Sequence, residues 1–262
     1  MTQTAYRAIF FDLDGTLLPL DMDAFMGGYF LSIESFVEEH GLDVKRFIDA
    51  LRGGIGAMAH NDGTHTNEEV FWQVFLEEVG DMTPEGVDWK VLLNEFYEKD
   101  FGEIGAGMPL NPLSSVVVET LQEKGYPLAL TTMPMFPARA VDWRLNWGDI
   151  DPQAFTRITT FENSSAVKPN TAYYEENLAA FACKPAEVLM VGNNTREDLA
   201  CLKVGMPAYL ITDCLLDPDN FDIDAVDHGS MAEFLEFVRS LPDCSDPASC
   251  NAPAIGLVAR KG

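Results

Sequence analysis

The sequence predicts an α/β fold in which helices cover both faces of a parallel sheet and one helical segment is inserted. Three observations lead to this prediction. Short apolar runs alternate with helical patterns beyond about residue 106, which is typical of a parallel sheet. Another apolar run stands near the N-terminus, at residues 7–11. Between these parts, residues 20–105 carry helical patterns without a strand pattern.

The inserted segment is predicted to form four helices. Apolar positions recur at helical spacing in residues 22–40, 44–59, 67–79 and 88–100. Asn67 is the expected N-cap of the third helix. Gly53, Gly54 and Gly56 weaken the middle of the second pattern.

Some side chains of the predicted helices and loops admit two interpretations. The loop at residues 60–65 either faces a ligand or is merely solvated, and its polar residues are His60, Asn61, Asp62 and His65. Arg52 is expected at the surface, although it could meet an anionic substrate. Phe71, Trp72 and Phe75 are expected to pack inside the insertion. Trp143 and Trp147, which flank Arg144, either pack in the core or contact the insertion.

The rest of the chain supplies the sheet and its covering helices. Strands are expected at residues 7–11, 127–132, 155–160, 188–191 and 207–211, where short apolar runs occur. Helices are expected at residues 112–124, 138–147, 170–182, 196–204 and 230–240. From Pro242 the composition shifts to Pro, Ser, Ala and Cys, which predicts a loose tail. The predicted division is a core of residues 1–19 and 106–241, an insertion of residues 20–105 and a tail of residues 242–262.

Composition limits the classes of function. The 262 residues are 47% hydrophobic, enough for a core domain and a smaller one. The net charge is −25, from 42 acidic and 17 basic residues, so we expect neither nucleic acid nor an anionic membrane as a partner. The acidity is expected to serve solubility. An anionic ligand would also be repelled, so its site needs local positive charge.

Location and redox state are predicted from the N-terminus and the cysteines. No apolar run is long enough to cross a bilayer, and Asp12 and Asp14 interrupt the first apolar stretch, unlike a signal peptide. We therefore expect a cytoplasmic protein. Five cysteines without a CxxC pair or a His cluster disfavour a zinc site. Cys244 and Cys250 could close a small loop, but free thiols are expected in a reducing compartment. The sequence leaves the oligomeric state open.

Polar residues stand where the predicted strands end. Asp12, Asp14 and Gly15 follow the first strand, Thr131 and Thr132 end the second, and Asn193, Asn194 and Asp198 follow the fourth. Lys168 precedes a helix. Because ligands bind at the carboxyl ends of parallel strands, we expect these residues to form one site.

The residue types suit phosphoryl transfer. Asp12 and Asp14 are two residues apart, so an extended chain directs both side chains to one side. One carboxylate can attack phosphorus, and the other can protonate the leaving alcohol and later activate water. Gly15 permits a sharp turn and lets backbone N–H groups approach phosphate oxygens. The Thr132 hydroxyl can donate to a phosphate oxygen, and Thr131 is its likeliest substitute.

Two carboxylates facing a phosphate dianion need compensating positive charge. Mg²⁺ is the expected cofactor, because it binds through a few carboxylates, waters and the substrate phosphate. Lys168 can neutralise the remaining charge as a compact cation. The expected ligand is therefore a small phosphorylated metabolite.

Four sequence runs, taken together, resemble the haloacid dehalogenase superfamily. They are DLDGTL (residues 12–17), LALTT (128–132), KPN (168–170) and VGNNTRED (191–198), in the order of that family's motifs. The resemblance covers residues 7–20 and about 110–240, and it implies a Rossmann-like core with a helical type C1 cap formed by the insertion. It implies that Asp12 is the nucleophile, Asp14 the acid/base and Lys168 the cation that steadies both. It also implies that Thr132, with the adjacent Met133, lies against the phosphate.

Within that family, the second aspartate of the first motif implies a phosphatase, since the dehalogenase branch lacks it. The fourth motif departs from the pattern, because Asn193 and Asn194 follow the glycine where an acid is usual. The expected metal set is Asp12, Asp14 and Asn193, with Asn194 as the rival ligand and Asp198 behind them. Weaker metal binding follows, since an amide brings no charge. Met133 is a smaller departure, at a position where polar residues are common.

Three functions remain open from the sequence. The first is a Mg²⁺-dependent phosphatase that acts on small phosphomonoesters through an aspartyl-phosphate on Asp12. The second is a phosphotransferase or mutase with the same intermediate. The third is a catalytically weak homologue that binds a phosphorylated ligand or a protein, suggested by the uncharged Asn193–Asn194 pair.

Overall fold

The computed structural model describes residues 6–80 and 83–252 of the chain. Its strands are β1 (Ala8–Phe11), β2 (Leu128–Leu130), β3 (Arg157–Ile158), β4 (Val188–Gly192), β5 (Ala208–Ile211) and β6 (Asp227–Gly229). They form one sheet in the order β3–β2–β1–β4–β5–β6, and every pairing is parallel. The chain moves outward from β1 to β3 and then returns to β4 beside β1. The carboxyl end of β1 is therefore the topological switch point, where α/β sheets bind ligands.

Helices cover the sheet and form the insertion. In chain order they are α1 (Met22–Glu39), α2 (Val44–Ala59), α3 (Asn67–Val79), α4 (Trp89–Glu98), α5 (Asp100–Glu103), α6 (Pro112–Glu123), α7 (Ala138–Trp147), α8 (Thr171–Ala180) and α9 (Met231–Ser240). The predicted α/β class is confirmed. Across the described ranges, no helix is both long and apolar enough to span a bilayer.

Strand β1 shows why the core strands appear in the sequence as continuous apolar runs. Its four side chains are all fully buried. Ile9 and Phe11 belong to the larger hydrophobic core, which includes the aromatic residues of the insertion. Phe10 belongs to a second core on the opposite face, where its ring lies 5.0 Å from that of Phe181. A strand buried on both faces has no polar alternation, so only the apolar run marks it.

Three elements differ from the sequence prediction. The helix expected at residues 88–100 is divided at Lys99 into α4 and α5. The helix expected at 196–204 is a 3₁₀ helix, Asp198–Val204. Strand β6 was not predicted, because Asp227 and His228 are exposed on the sheet edge and give no apolar signal.

The N-cap of α3 also differs from the prediction. Thr66, not Asn67, caps the helix, and it forms a capping box with Glu69. Asn67 is fully buried, and its Nδ2 donates to Pro134 O at 3.0 Å and Ala166 O at 3.3 Å. The first residue of α3 thus ties the insertion to the loops that border the sheet.

Two tryptophans of α7 hold the insertion against the sheet. Trp143 Nε1 donates to Tyr97 O at 2.9 Å, and Trp147 Nε1 donates to Gly102 O at 3.1 Å. Trp147 also stacks on Phe101, with ring centroids 5.5 Å apart. Both interpretations for these tryptophans are therefore observed, since they also pack against the hydrophobic core.

The described part of the C-terminal segment is not loose. Backbone N–H groups of Cys244, Ala248 and Asn251 donate to carbonyl groups of the core. Residues 242–252 therefore lie against the core, because their hydrogen bonds join it, and residues 253–262 lie outside the described ranges. Cys244 and Cys250 are free thiols, as expected. The exact division of the chain into core and cap domains stays a prediction.

Candidate active site

The carboxyl end of β1 places Asp12 at the centre of the candidate site. Asp12 N donates to Val191 O at 2.8 Å, which continues the pairing of β1 with β4. The following turn is closed by Gly15, whose φ is +85°. A Cβ at Gly15 would lie 2.2 Å from Asn193 Nδ2, so only glycine allows the two loops to approach this closely. Gly15 N donates to Leu18 O within this turn, and the predicted approach of backbone N–H groups near Gly15 to a phosphate stays a prediction.

Three buried charged side chains form the base of the site. Lys168 Nζ lies 2.8 Å from Asp12 Oδ1 and 2.6 Å from Asp198 Oδ1. Burial raises the pKa of Asp12 to about 7, although Lys168 opposes the shift. Burial lowers the pKa of Lys168, but Asp12 and Asp198 outweigh it and hold that pKa well above its usual value. The cation predicted to face the nucleophile is thus in place.

Asp14 has a buried partner that the sequence analysis did not assign to the site. Arg144 of α7 pairs through Nη1 with Asp14 Oδ2, and both side chains are buried. The guanidinium also lies over the Phe136 ring, 4.9 Å from its centroid. Within the described residues, Asp14 Oδ1 and Arg144 Nη2 are buried without a hydrogen-bond partner. Both residues line one cavity.

A usable signal for Arg144 existed in the sequence. The residue shares a helix face with Ala140, Val141 and Leu145, all buried. A charge at an apolar position of an amphipathic helix requires a partner, since burying an unpaired charge is very costly. Sequence alone does not say which carboxylate supplies it.

The two threonines after β2 have different roles. Thr131 Oγ1 donates to Phe11 O at 3.1 Å, so its hydroxyl is used within the sheet. Thr132 is completely buried, and its Oγ1 has no hydrogen-bond partner among the described residues. The free hydroxyl supports Thr132 as the phosphate-binding threonine. Met133 lines the adjoining cavity, where it offers an apolar surface.

The two asparagines of the fourth motif, Asn193 and Asn194, have different hydrogen-bond partners. Thr16 Oγ1 lies 3.1 Å from Asn193 Oδ1 and 3.3 Å from Asp12 Oδ2, so it joins the amide to the nucleophile. Asn194 Oδ1 instead accepts from the backbone N–H groups of Arg196 and Glu197, which is turn chemistry. The Oδ1 of Asn194 is engaged in the turn, which favours Asn193 over Asn194 as the metal ligand, and the choice between them stays a prediction. Thr16 was missed, although it stands inside the first motif.

Asp198 supports the site through its contacts with neighbouring groups. Its Oδ2 accepts from Asn193 N at 3.0 Å and Asn194 N at 2.9 Å, while Oδ1 pairs with Lys168. Both oxygens are occupied, and the carboxylate fixes the loop after β4 together with the lysine. Asp198 is therefore a positioning residue, which agrees with its expected place behind the metal ligands.

The oxygen atoms at this end of the sheet fit the ligand preference of a magnesium ion. In the part of the chain that the structure describes, no three His, Cys, Asp or Glu side chains form a metal cluster. Asp12 Oδ2 and Asn193 Oδ1 nevertheless lie around one hydroxyl, that of Thr16. Mg²⁺ accepts such a set of hard oxygens, because waters and a substrate phosphate complete its shell.

A cavity of 670 Å³ opens above these residues and continues under the insertion. Asp12, Asp14 and Arg144 form its polar end. The loop at residues 60–65 and Arg52 are not part of its wall. His60, Asp62 and His65 are exposed, so the solvated interpretation of this loop is the one observed. Arg52 is also exposed and lies over the Phe30 ring.

Comparison with known proteins gives a family match and distant structural neighbours. Residues 6–205 match the model of the haloacid dehalogenase-like hydrolases. A comparison with curated proteins finds no match. Several solved structures are similar, at identities that indicate the fold alone.

Three of these structures illustrate the range of activities on this fold. A predicted phosphoglycolate phosphatase from Haemophilus somnus 129PT is 19% identical, with a TM-score of 0.54 over 90% of this chain and 99% of that one. The L-2-haloacid dehalogenase from Xanthobacter autotrophicus, with chloropropionic acid covalently bound, is 13% identical, with a TM-score of 0.53 over 90% and 99%. The putative HAD-hydrolase YfnB from Bacillus subtilis, bound to magnesium, is 16% identical, with a TM-score of 0.53 over 89% and 99%.

Proposed function

Because the chain belongs to the haloacid dehalogenase-like hydrolase family, we propose that it is a Mg²⁺-dependent phosphatase that hydrolyses phosphomonoesters through an aspartyl-phosphate on Asp12. The observation that carries this proposal is the pairing of two buried carboxylates with two buried cations. Lys168 faces Asp12, and Arg144 faces Asp14. A dehalogenase does not need the second acid, whereas a phosphatase must protonate an alcohol.

The first chemical step forms the phosphoenzyme. Asp12 attacks phosphorus through a carboxylate oxygen, and the bond from phosphorus to the ester oxygen breaks. Asp14 gives a proton to that ester oxygen, and the alcohol leaves. Arg144 holds Oδ2 of Asp14, so Oδ1 is the oxygen that carries the proton. Thr132 donates its hydroxyl to a phosphate oxygen.

The second step returns the enzyme to its starting state. Asp14, now a carboxylate, takes a proton from a water molecule as the water attacks phosphorus. The bond between phosphorus and the Asp12 oxygen breaks, and inorganic phosphate leaves. Lys168 stabilises the negative charge on Asp12 at both stages. Bound Mg²⁺, held by Asp12 and Asn193, would supply positive charge to the phosphate oxygens.

The test is phosphate release from an aryl phosphate in the presence of Mg²⁺. Asp12→Asn is expected to abolish turnover, since an amide does not attack phosphorus. The same substitution at the exposed Asp224 is the control and is expected to leave turnover unchanged. Retained activity in Asp12→Asn would contradict the mechanism.

Further assays distinguish the proposed phosphatase from the alternative functions. Phosphate release without an added alcohol acceptor argues against a phosphotransferase or mutase. Halide release from 2-chloropropionate, if it exceeded phosphate release, would favour dehalogenation and refute the proposal. Absence of Mg²⁺ binding together with absence of turnover would favour the catalytically weak homologue.

A further inference from the structure

We propose that the alcohol released by this site is an uncharged hydrocarbon alcohol, aliphatic or aromatic, rather than a sugar or a hydroxy acid. This inference rests on the proposed phosphatase function. It concerns the end of the 670 Å³ cavity that lies under the insertion, beyond Asp12 and Asp14. The leaving group of a phosphate attacked by Asp12 must occupy that end.

The wall of this end is mainly apolar. Helices α1, α2, α3 and α4 contribute to it, and the loop after β2 completes it. Six of its side chains are Met26, Ile55, Trp72, Leu93, Met135 and Phe136. Methionine and aromatic side chains adapt to a hydrocarbon of irregular shape, and burial of that hydrocarbon supplies the binding free energy.

The positive charges of the wall do not offer a site for a second anion under the insertion. Arg139 pairs with Glu98 at 3.0 Å and with Asp142 at 2.7 Å. Arg144 pairs with Asp14, and its remaining Nη2 lies at the polar end of the cavity beside the reacting groups. Both arginines are therefore neutralised by carboxylates.

The remaining cation of the wall is Lys90, which is exposed on α4. Its ammonium group lies 5.4 Å from the centroid of the Trp72 ring. The wall also carries Glu68 and Glu162, which would repel a carboxylate. A hydroxy-acid phosphate therefore meets more negative than free positive charge at this end.

A sugar would also find few buried hydrogen-bond partners, because Asn94 of α4 lines the wall but is exposed, whereas the tyrosine hydroxyls and Glu162 have partners. The hydroxyl groups of Tyr29 and Tyr97 bond to each other at 3.0 Å. Glu162 accepts from the backbone N–H of Ala138. A polyhydroxylated group would lose its water without regaining equivalent bonds, which costs free energy.

The size of the cavity supports the same conclusion. Its volume lies within the range of pockets that enclose drug-sized ligands. A two-carbon acid would leave most of the apolar wall without contact. A longer hydrocarbon would cover it.

The experiment compares kcat/KM across unbranched alkyl phosphates from ethyl to octyl, with benzyl phosphate, 2-phosphoglycolate and glucose 6-phosphate as further substrates. Alkyl phosphates share the same ester chemistry, so differences among them report binding of the chain. We expect kcat/KM to rise about three- to fourfold per added methylene until the cavity is filled. We also expect hexyl and benzyl phosphates to exceed both metabolite-like substrates by at least about tenfold.

Two variants on α1 test whether the apolar wall causes the dependence of kcat/KM on chain length. Met26→Asn places an amide in the wall and is expected to flatten the chain-length dependence through KM. Leu31→Asn makes the same change on α1 at a residue that is 68% exposed and outside the wall, and it is expected to leave the dependence intact. Equal behaviour of the two variants would overturn the assignment of this surface.

Binding of alkylphosphonates, measured by calorimetry, separates failure of this inference from failure of the proposed function. Phosphonates are not hydrolysed, so their affinity reports the cavity alone. Affinity that rises with chain length in a protein without phosphatase activity would support the hydrocarbon site and refute the phosphatase. Hydrolysis that favours 2-phosphoglycolate or glucose 6-phosphate, with affinity independent of chain length, would leave the phosphatase standing and overturn this inference.

Discussion

At the scale of the residue, three buried acids of the site are held by two buried cations. Lys168 bridges Asp12 and Asp198, and Arg144 holds Asp14. In a buried site these pairs are strongly coupled, because removing one member leaves the other charge without compensation. Asp12 and Asp14 are nevertheless held by different cations, Lys168 and Arg144.

Arg144 is expected to orient Asp14, and its removal tests this role. Arg144→Met leaves a buried carboxylate unpaired, which should lower the free energy of unfolding by about 3 kcal/mol. We expect kcat to fall further for alkyl phosphates than for aryl phosphates, because only the former depend strongly on proton donation by Asp14. Equilibrium denaturation and the two kcat values are the measurements.

A conservative variant provides the control for Arg144. Arg144→Lys keeps a positive charge and should recover most of the stability. Equal loss of kcat for alkyl and aryl phosphates in Arg144→Met would mean that the arginine acts only through stability.

Asn193 is expected to limit the affinity for magnesium. Asn193→Asp adds a negative charge beside Asp12, and the concentration of Mg²⁺ that gives half-maximal activity should fall about tenfold. Asn194→Asp is the matched control, because that side chain caps backbone N–H groups and an aspartate does the same. A magnesium titration of both variants checks the assignment. If Asn194→Asp lowered the required Mg²⁺ concentration more than Asn193→Asp, the metal ligand would be Asn194 instead.

Most residues of the site could be predicted from sequence because they stand inside short motifs. Asp12, Asp14, Lys168 and Asn193 follow strands or precede helices, and parallel topology brings such positions together. Arg144 could not be assigned in this way, since its partner lies 130 positions away in the chain. The motifs favoured Thr132 over Thr131 and Asn193 over Asn194, but the local contacts that decide which of two adjacent residues faces the site are not visible in the sequence. That choice depends on whether Thr131 or Asn194 finds a local backbone partner.

At the scale of the element, the contact between α5 and α7 sets the position of the insertion. Trp147 packs where a side chain at Gly105 would otherwise lie, and its indole donates to Gly102 O. Trp143 makes the corresponding bond to Tyr97 O. The helix that supplies Arg144 therefore also anchors the insertion, so the acid/base and the cavity wall share one support.

A single added methyl group tests this contact. A Cβ at Gly105 would lie 2.2 Å from Trp147 Cδ2, so Gly105→Ala should destabilise the protein by about 1–3 kcal/mol. Gly27→Ala is the control, because its Cβ would meet nothing within 4 Å and alanine favours the α1 helix. Thermal unfolding should shift down for the first variant and slightly up for the second. Equal shifts would show that the contact carries no strain.

The elements themselves were predictable where hydrophobic patterns were long. Helices α1 to α3 agree closely with the apolar periodicity, and β1, β4 and β5 agree with their apolar runs. The exceptions have local physical reasons. Strand β6 is polar and lies on the sheet edge, and the N-cap of α3 is decided by a capping box one residue earlier.

At the scale of the whole molecule, the proposed function places an anionic substrate in an acidic protein. The net charge is −25, so a phosphate ester approaches against the general field. Lys168, Arg144 and a bound cation would reverse the sign locally, and burial strengthens their effect. The protein as a whole is thus negative, whereas the site with its bound cation would be locally positive. The apolar cavity under the insertion adds affinity that does not depend on charge.

Trapping the phosphoenzyme is the most direct test of the central claim, that Asp12 is the nucleophile. In Asp14→Asn, an aryl phosphate still phosphorylates the enzyme, because its leaving group needs no proton, whereas attack by water is slow without the base. Acid quenching followed by peptide mass spectrometry should therefore find one phosphoryl group on the peptide that contains Asp12. Phosphate release without any phosphoryl group on Asp12, or a phosphoryl group on a different residue, would contradict the account.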